Sequence, residues 1–443
     1  MTAKLNKAAF LGLDGTPHSL VVELMAKGVM PHLASLLPEG KLMRMETVMP
    51  EVSSVAWTTF MTGVNPGRHG VYGFMDLRPG TYDMFFPNYA SVKAKPIWDR
   101  VGEAGGRSVV INVPSTYPAR PLSGVMTAGF VALDLKKATY PDSAYQYLSG
   151  MGYRIDVDTV KARESRDVLK RDLMETLARR KEAILHFLDE EPWDLFVGVI
   201  TETDRLHHFL WSAYADPSDP DHGFFIDYYK EIDSFIGEFA ARLKARHGGA
   251  PLMIMSDHGF TLSVKEVYIN YWLRERGYLK LAKFPPQSWA DIAEGTRAFA
   301  LDPSRIYINL KGKYPRGSVE PGAGYEALRD EIAEGLLSIE VDGKRVVKSV
   351  RKKEDLYSGP ELDFAPDLVV LSNYGFDLKG ALAKDTLAAK GFLTGMHTQD
   401  DAMLYVGGAK AGGVDVANIL DAPATLANII GLDATGFEGS AVT

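Results

Sequence analysis

Ala8-Ala9-Phe10-Leu11-Gly12-Leu13 runs without interruption into Asp14-Gly15-Thr16: six apolar residues, then a turn led by a carboxylate. The same form recurs at Ser108-Val109-Val110-Ile111, at Asp194-Leu195-Phe196-Val197-Gly198-Val199-Ile200, at Leu252-Met253-Ile254-Met255 and at Leu368-Val369-Val370-Leu371. Apolar runs this short and this continuous, each closed by turn residues, predict strands buried on both faces, as in a parallel sheet. Between them lie helical patterns. Leu169, Leu173, Leu177, Ile184 and Leu185 mark one face of a helix over 167–187, and a second helix is expected over 225–243. Strands alternating with helices predict an α/β fold, doubly wound, with a mostly parallel central sheet and helices on both faces.

Two stretches break the alternation. Residues 130–165 are polar and turn-rich, and 283–362 hold a strand-like run of their own, Arg305 to Leu310, beside a Gly- and Pro-rich segment, Gly312 to Gly324. The expected division is a catalytic core of 1–282 and 363–443, with 130–165 as a minor insertion and 283–362 as an inserted cap.

With 46% hydrophobic and 24% charged residues over 443 positions, the chain is of folded, globular composition. The net charge of −8 and the shortness of the densest basic piece, Lys344-Arg345 with Arg351-Lys352-Lys353, leave no nucleic-acid-binding patch. Cysteine is absent, which excludes disulfides, thiolate nucleophiles and Cys-ligated metals. Any metal must sit on His, Asp, Glu or hydroxyl oxygen. The amino-terminal apolar run is too short for a signal segment, and no stretch of about eighteen apolar residues follows. A cytoplasmic protein with no membrane attachment is expected.

In an open α/β sheet, ligands bind beyond the carboxyl ends of the strands, so polar residues just after apolar runs are the first candidates. Asp14 follows the first run, Asp257-His258-Gly259 follows another, and Thr201-Glu202-Thr203-Asp204-Arg205-Leu206-His207-His208 follows a third; Thr394-Gly395-Met396-His397 stands near the end. Asp204 and His208 are four apart where a helix should begin, so both side chains leave one face and can grip one ion. The same spacing also suits an ordinary structural pair, with Asp favoured at a helix start by the macrodipole. His207 points about a hundred degrees away and is expected to pack or to support. A second Asp-His-Gly-Phe, at Asp221 to Phe224, follows a turn-rich loop with no strand before it and is assigned no catalytic role.

Ser53 and Ser54 open an apolar helix that ends at Gly63. Either serine would serve as an N-cap. A helix start is equally a place where amides favour phosphate, and where a serine becomes a nucleophile if a metal acidifies it.

Together these pieces resemble the alkaline phosphatase superfamily, in particular its type I phosphodiesterase/nucleotide pyrophosphatase branch and the predicted phosphohydrolases and phosphomutases related to it. The order Asp14, hydroxyl nucleophile, Asp204-x-x-x-His208, Asp257-His258, His397 is similar to that family's ligand order along the whole chain. Thr62-Gly63-Val-Asn-Pro66-Gly-Arg-His69-Gly70 resembles the segment after the nucleophile helix, and Asp421-Ala-Pro423-Ala-Thr425-Leu resembles the closing helix. The resemblance implies an alkaline phosphatase-like core, with one ion held by Asp204, His208 and His397 and another by Asp14, Asp257, His258 and the Ser53 oxygen. Counted back from Thr62-Gly63, Ser53 rather than Ser54 takes the nucleophile's place. Mixed nitrogen and oxygen ligands suit two zinc ions, with manganese the competitor.

The expected function is that of a two-metal hydrolase cleaving a phosphodiester or phosphoanhydride of a small molecule through a phosphoserine. A phosphomutase or phosphomonoesterase on the same core is the alternative, and a catalytically inactive binding protein the non-enzymatic one. One departure stands out: where the nucleotide pyrophosphatase branch carries a supporting Asn three residues after its nucleophile, this chain has Ala56, followed by Trp57. His69, His18, His32, His186 and His247 are read as structural. Arg205 is a candidate substrate contact. Trp57, Tyr307, Tyr314 and Tyr357 are placed in the core rather than against a substrate base.

Overall fold

The computed structural model describes residues 5–303, 305–408 and 414–442, so the first four residues of the amino-terminal stretch, and 304, 409–413 and 443 of the ranges above, lie outside it. The chain forms two compact units. The first is built from residues up to Val64, Asn88–Phe260 and the residues from His397 onward; the second is built from Asn65–Pro87 and Thr261–Met396. The 283–362 segment falls inside the second.

The first unit carries a nine-stranded sheet. In chain order its strands are β1 (Ala8–Leu13), β2 (Gly40–Glu46), β3 (Ser108–Val113), β4 (Gly124–Ala128), β5 (Thr139–Tyr140), β6 (Leu195–Ile200), β7 (Leu252–Met255), β8 (Ala402–Gly407) and β9 (Val416–Asn418). Across the sheet they stand β9-β2-β8-β7-β1-β6-β3-β4-β5. The run β7-β1-β6-β3-β4 is parallel throughout, as is β2 with β9, while β8 lies antiparallel to both its neighbours and β5 to β4. The mostly parallel sheet is as expected.

Side chains alternate across a strand, so β1 shows what covers each face. Ala9, Leu11 and Leu13 join a core with Leu177 and Ile184 of helix α2 (Arg166–Glu190), Leu206 of α3 (Glu202–Ala215) and Tyr229 of α4 (His222–Arg246). Phe10 faces the other way, stacked on Phe60 at 4.2 Å and edge-on to Trp57, both on α1 (Ser53–Thr62). Helix α5 (Asp421–Ile430) packs beside α1. Helices therefore cover both faces, which is why every residue of β1, β3 and β6 is buried.

One strand departs from expectation. Leu368–Ser372 is a strand, but it belongs to the second unit, in an antiparallel four-stranded sheet with Ala298–Leu301, Arg305–Ile308 and Val347–Lys352. Its run of apolar residues reports burial on both faces and is silent about which sheet is buried. Places missing from the central sheet are taken by Gly40–Glu46 and Ala402–Gly407, whose antiparallel pairing the βα pattern did not suggest. Within the second unit, Tyr314 is buried and stacked on Tyr82, and Lys313 Nζ donates to the Asp363 carbonyl, so this basic-aromatic stretch serves that unit's own packing. Tyr307, Tyr357 and Trp57 are likewise buried. Among the described residues no single helix is long and apolar enough to cross a membrane.

Gly12 is a position on β1 with no room for a side chain. A Cβ there would lie 2.4 Å from Cη2 of Trp57 and 2.9 Å from a Val199 methyl. The indole is fully buried, packed edge-on to Phe10 and Phe60. Gly12→Ala should cost about 1–3 kcal/mol by overpacking, seen as a lower urea midpoint at unchanged slope. An unchanged midpoint would show that the indole has room to withdraw.

Candidate active site

Parallel pairing brings three strand ends level. Leu13 pairs with Ile200 and Gly12 with Met255, so the chain leaves β1, β6 and β7 side by side, carrying Asp14, Thr201 to Asp204, and Asp257-His258. The turn after β1 is tightly held. Gly15, at φ +64°, donates its N–H to Asp257 Oδ1 at 2.9 Å, and its Cβ-less side faces Phe260 and His258. The Thr203 hydroxyl donates to the Asp14 carbonyl at 2.6 Å. His207 Nδ1 donates to the Gly15 carbonyl at 2.9 Å, and its Nε2 faces the Tyr229 hydroxyl at 2.8 Å. His207 thus supports the loop from behind.

Helix α1 begins at Ser53 with Val52 as N-cap, and no side chain caps it. The N-cap role open to Ser53 in the sequence is therefore not the one it fills. Its hydroxyl instead lies 3.2 Å from Asp14 Oδ1 and 3.1 Å from His258 Nε2. Ser54 is buried, and its hydroxyl has no hydrogen-bond partner.

All seven residues singled out in the sequence converge here. Asp204 and His208 sit on one face of α3, and Asp204 Oδ1 lies 3.4 Å from His208 Nε2 and 3.3 Å from His397 Nε2, the two nitrogens being 3.0 Å apart. A tetrahedral cation with ligand bonds near 2.0–2.1 Å would have ligands spaced about 3.3 Å apart, so this triangle is of a size that could hold a small divalent cation. His397 Nδ1 donates to the Glu51 carbonyl at 2.8 Å and His258 Nδ1 to the Gly259 carbonyl at 3.1 Å, which turns both Nε2 lone pairs into the site. A second group of possible ligands comprises Asp14, Asp204 and His258. Asp257 Oδ2 lies 3.4 Å from His258 Nε2. Both Asp204 Oδ1 and Asp257 Oδ2 are buried with no hydrogen-bond partner.

Electrostatics points the same way. Burial, joined by the charges of Asp257 and Asp204, raises the Asp14 carboxyl well above the usual carboxylate range. Burial pushes Asp257 up to about 7, with Asp204 adding to it. His258 is held well below the ordinary imidazole value by burial and by His397. For Asp204 burial is outweighed by His208, His397 and Arg205, and its carboxyl falls well below the usual range. His397 rises because Asp204 outweighs its burial. Carboxylates crowded in the dark, with imidazole lone pairs turned on one another, are groups that fit divalent cations.

Residues 8–400 match the family model described as type I phosphodiesterase / nucleotide pyrophosphatase. The chain belongs to that family. Membership makes it a phosphoester hydrolase by class. No curated protein matches the sequence. Among solved structures, phosphonoacetate hydrolase from Sinorhizobium meliloti 1021, in complex with phosphonoacetate, shares the fold with a TM-score of 0.66 at 17% identity, covering 96% of this chain and 95% of that one. Murine ectonucleotide pyrophosphatase / phosphodiesterase 5, inactive and in complex with AMP, gives 0.58 at 15%, covering 98% and 97%. The human form gives 0.59 at 17%, with the same coverage.

This family member also shows what the sequence did not. Trp57 Nε1 donates to Asp14 Oδ2 at 2.8 Å, so the residue beside Ala56 serves the site by orienting a carboxylate. Arg205, a candidate substrate contact in the sequence, is instead paired with two carboxylates, Asp204 and Asp156. Asp221, in the second Asp-His-Gly-Phe, is ion-paired with Arg166 and Lys170. His69 is buried and accepts the Val71 N–H.

His207 generates a test in pH. Burial lowers it from 6.5 to about 3, so it is neutral when folded and takes up a proton when unfolded below 6.5. Between pH 6.5 and about 3 the unfolded chain then binds more protons, and stability falls with falling pH by up to about 1.4 kcal/mol per unit from this residue. With chelator present throughout, His207→Gln should lose that part of the slope between pH 6.5 and 5 in urea unfolding. Parallel curves for variant and wild type would contradict a buried neutral imidazole.

Proposed function

We propose that the protein hydrolyses a small phosphodiester or phosphoanhydride through a phosphoserine at Ser53, with two divalent cations, preferably zinc and alternatively manganese. One ion is assigned to Asp204, His208 and His397, the other to Asp14, Asp257, His258 and the Ser53 oxygen. The observation that carries this reading is the placement of Ser53: its hydroxyl stands at the uncapped start of α1, within 3.2 Å of Asp14 and His258. Bound cations would acidify the attacking hydroxyl and neutralise the oxygens of a phosphoryl group.

The chain's own residues do the rest. Ser53 Oγ bonds to phosphorus as the bond to the leaving oxygen breaks, and water later splits the Oγ–P bond to restore the serine. The Val55 and Ala56 amides of the first turn of α1 are taken by the Val52 carbonyl, which leaves those of Ser53 and Ser54 as the ones a phosphoryl oxygen could use. Trp57 and Gly15 hold Asp14 and Asp257 in place through their N–H groups. Solved proteins of the same fold hold phosphonoacetate and AMP, which supports a small phosphorus-bearing substrate here as well.

Metal analysis after dialysis should find two ions per chain, and Asp257→Ala and His397→Ala should each lose one. A wild type holding one ion or none overturns the two-metal assignment. Ser53→Ala should lower turnover about a thousandfold or more on an activated ester, and Ser54→Ala less than about tenfold. The reverse order would move the nucleophile to Ser54. Running the same panel on paired monoester and diester substrates, with phosphonoacetate included, separates diesterase from monoesterase or mutase chemistry.

A further inference from the structure

Arg205 follows Asp204 directly, and its guanidinium bridges that carboxylate to Asp156. Its Nε donates to Asp156 Oδ1 at 3.2 Å and its Nη2 to Asp156 Oδ2 at 2.7 Å, a fork on a carboxylate. The remaining Nη1 donates to Asp204 Oδ2 at 3.0 Å. The guanidinium carbon also lies 4.4 Å from the centre of the Phe130 ring. Both Phe130 and Asp156 come from the 130–165 insertion.

The neighbouring stretch is tied down a second time. Arg180 Nη2 donates to the Ile155 carbonyl at 2.6 Å, and Arg180 is ion-paired with Glu202, both side chains fully buried. The Ile155-Asp156 segment is thus fastened to α3 on either side of Asp204 in sequence, its Ile155 carbonyl through Arg180 and Glu202 and its Asp156 carboxylate through Arg205. The consequence falls on the ligand. With Oδ2 engaged by Arg205, Asp204 presents only Oδ1 to His208 and His397, and Oδ1 is the oxygen without a hydrogen-bond partner.

We propose that Arg205, clamped by Asp156, is a positioning residue that fixes the Asp204 carboxylate so that one oxygen alone is offered to the ion held with His208 and His397. This rests on the assignment of that ion above. A free carboxylate could rotate or present both oxygens, and Asp156 would lose its partner; partners that orient metal ligands typically govern affinity about 10–100-fold. Lysine would keep the charge and lose the fork.

The test is calorimetric titration of the full chain, stripped with chelator, using zinc alone. Wild type should take two ions, and Asp204→Asn should lose one of them. Arg205→Met and Asp156→Asn should bind one ion about 10–100-fold more weakly, leave the other unchanged, and reach full stoichiometry at saturating zinc. Arg205→Lys should resemble Arg205→Met. A merely structural loss would lower both affinities together or the folded fraction, and saturating zinc would not restore it. If Arg205→Met fails to fold, Asp156→Asn decides. Wild-type affinities in both variants, or equal loss at both ions, overturn the positioning role while the two-ion site stands. A wild type taking up no ion overturns the site itself and this role with it.

Discussion

Three carboxylates, Asp14, Asp204 and Asp257, stand buried at the ends of adjacent strands, and that is the constraint from which the rest of the site follows. Asp257 and Asp204 both raise the Asp14 carboxyl, and Asp204 raises Asp257, so the three charges oppose one another at a buried place. The chain meets this by placing N–H donors on two of them, Trp57 on Asp14 and Gly15 on Asp257, and a guanidinium on the third. Those groups do not suffice. Asp14 and Asp257 are still driven toward their protonated forms, and His397 toward its cationic one. Buried carboxyls pushed toward protonation beside imidazoles are groups that could hold a divalent cation.

The sheet supplies the crowding. Only parallel neighbours bring the carboxyl ends of β7, β1 and β6 out on one edge, and only close packing of α1 on β1 puts the Trp57 indole within reach of Asp14. Gly12 is the condition for that approach, since any side chain there would meet the indole. Fold stability and site geometry are therefore coupled through one buried tryptophan, which contributes apolar surface to Phe10 and Phe60 and a hydrogen bond to a carboxylate.

Much of this was legible in the sequence. Apolar runs ending in Asp14, in Thr201 to Asp204 and in Asp257-His258 located the sheet and its functional edge, and the seven candidate residues do meet. The i, i+4 spacing places Asp204 and His208 on one helix face. The illegible part has physical causes. Leu368 to Leu371 is as apolar as any central strand, because burial on both faces is the same in either sheet. Ala402–Gly407 entered antiparallel, which no strand-helix alternation announces. Trp57 looked like core and is core; its polar edge is what acts.

Ligands leave motifs because few residue types bind cations and their spacing is bound to helix and strand geometry. The groups that orient the candidate ligands and their neighbours leave far weaker traces. His397 is aimed by the Glu51 carbonyl, His258 by the Gly259 carbonyl, His207 by the Gly15 carbonyl, and Arg180 by the Ile155 carbonyl. A backbone carbonyl is present at every position, so the identity of the residue says nothing about its use. Side chains do the holding at Trp57, on Asp14, and at Arg205 with Asp156, the latter two nearly fifty residues apart in sequence. Their pairing depends on the 130–165 stretch, which also supplies β5 of the central sheet, folding back onto α3, information that a linear pattern does not carry and that three-dimensional structure does.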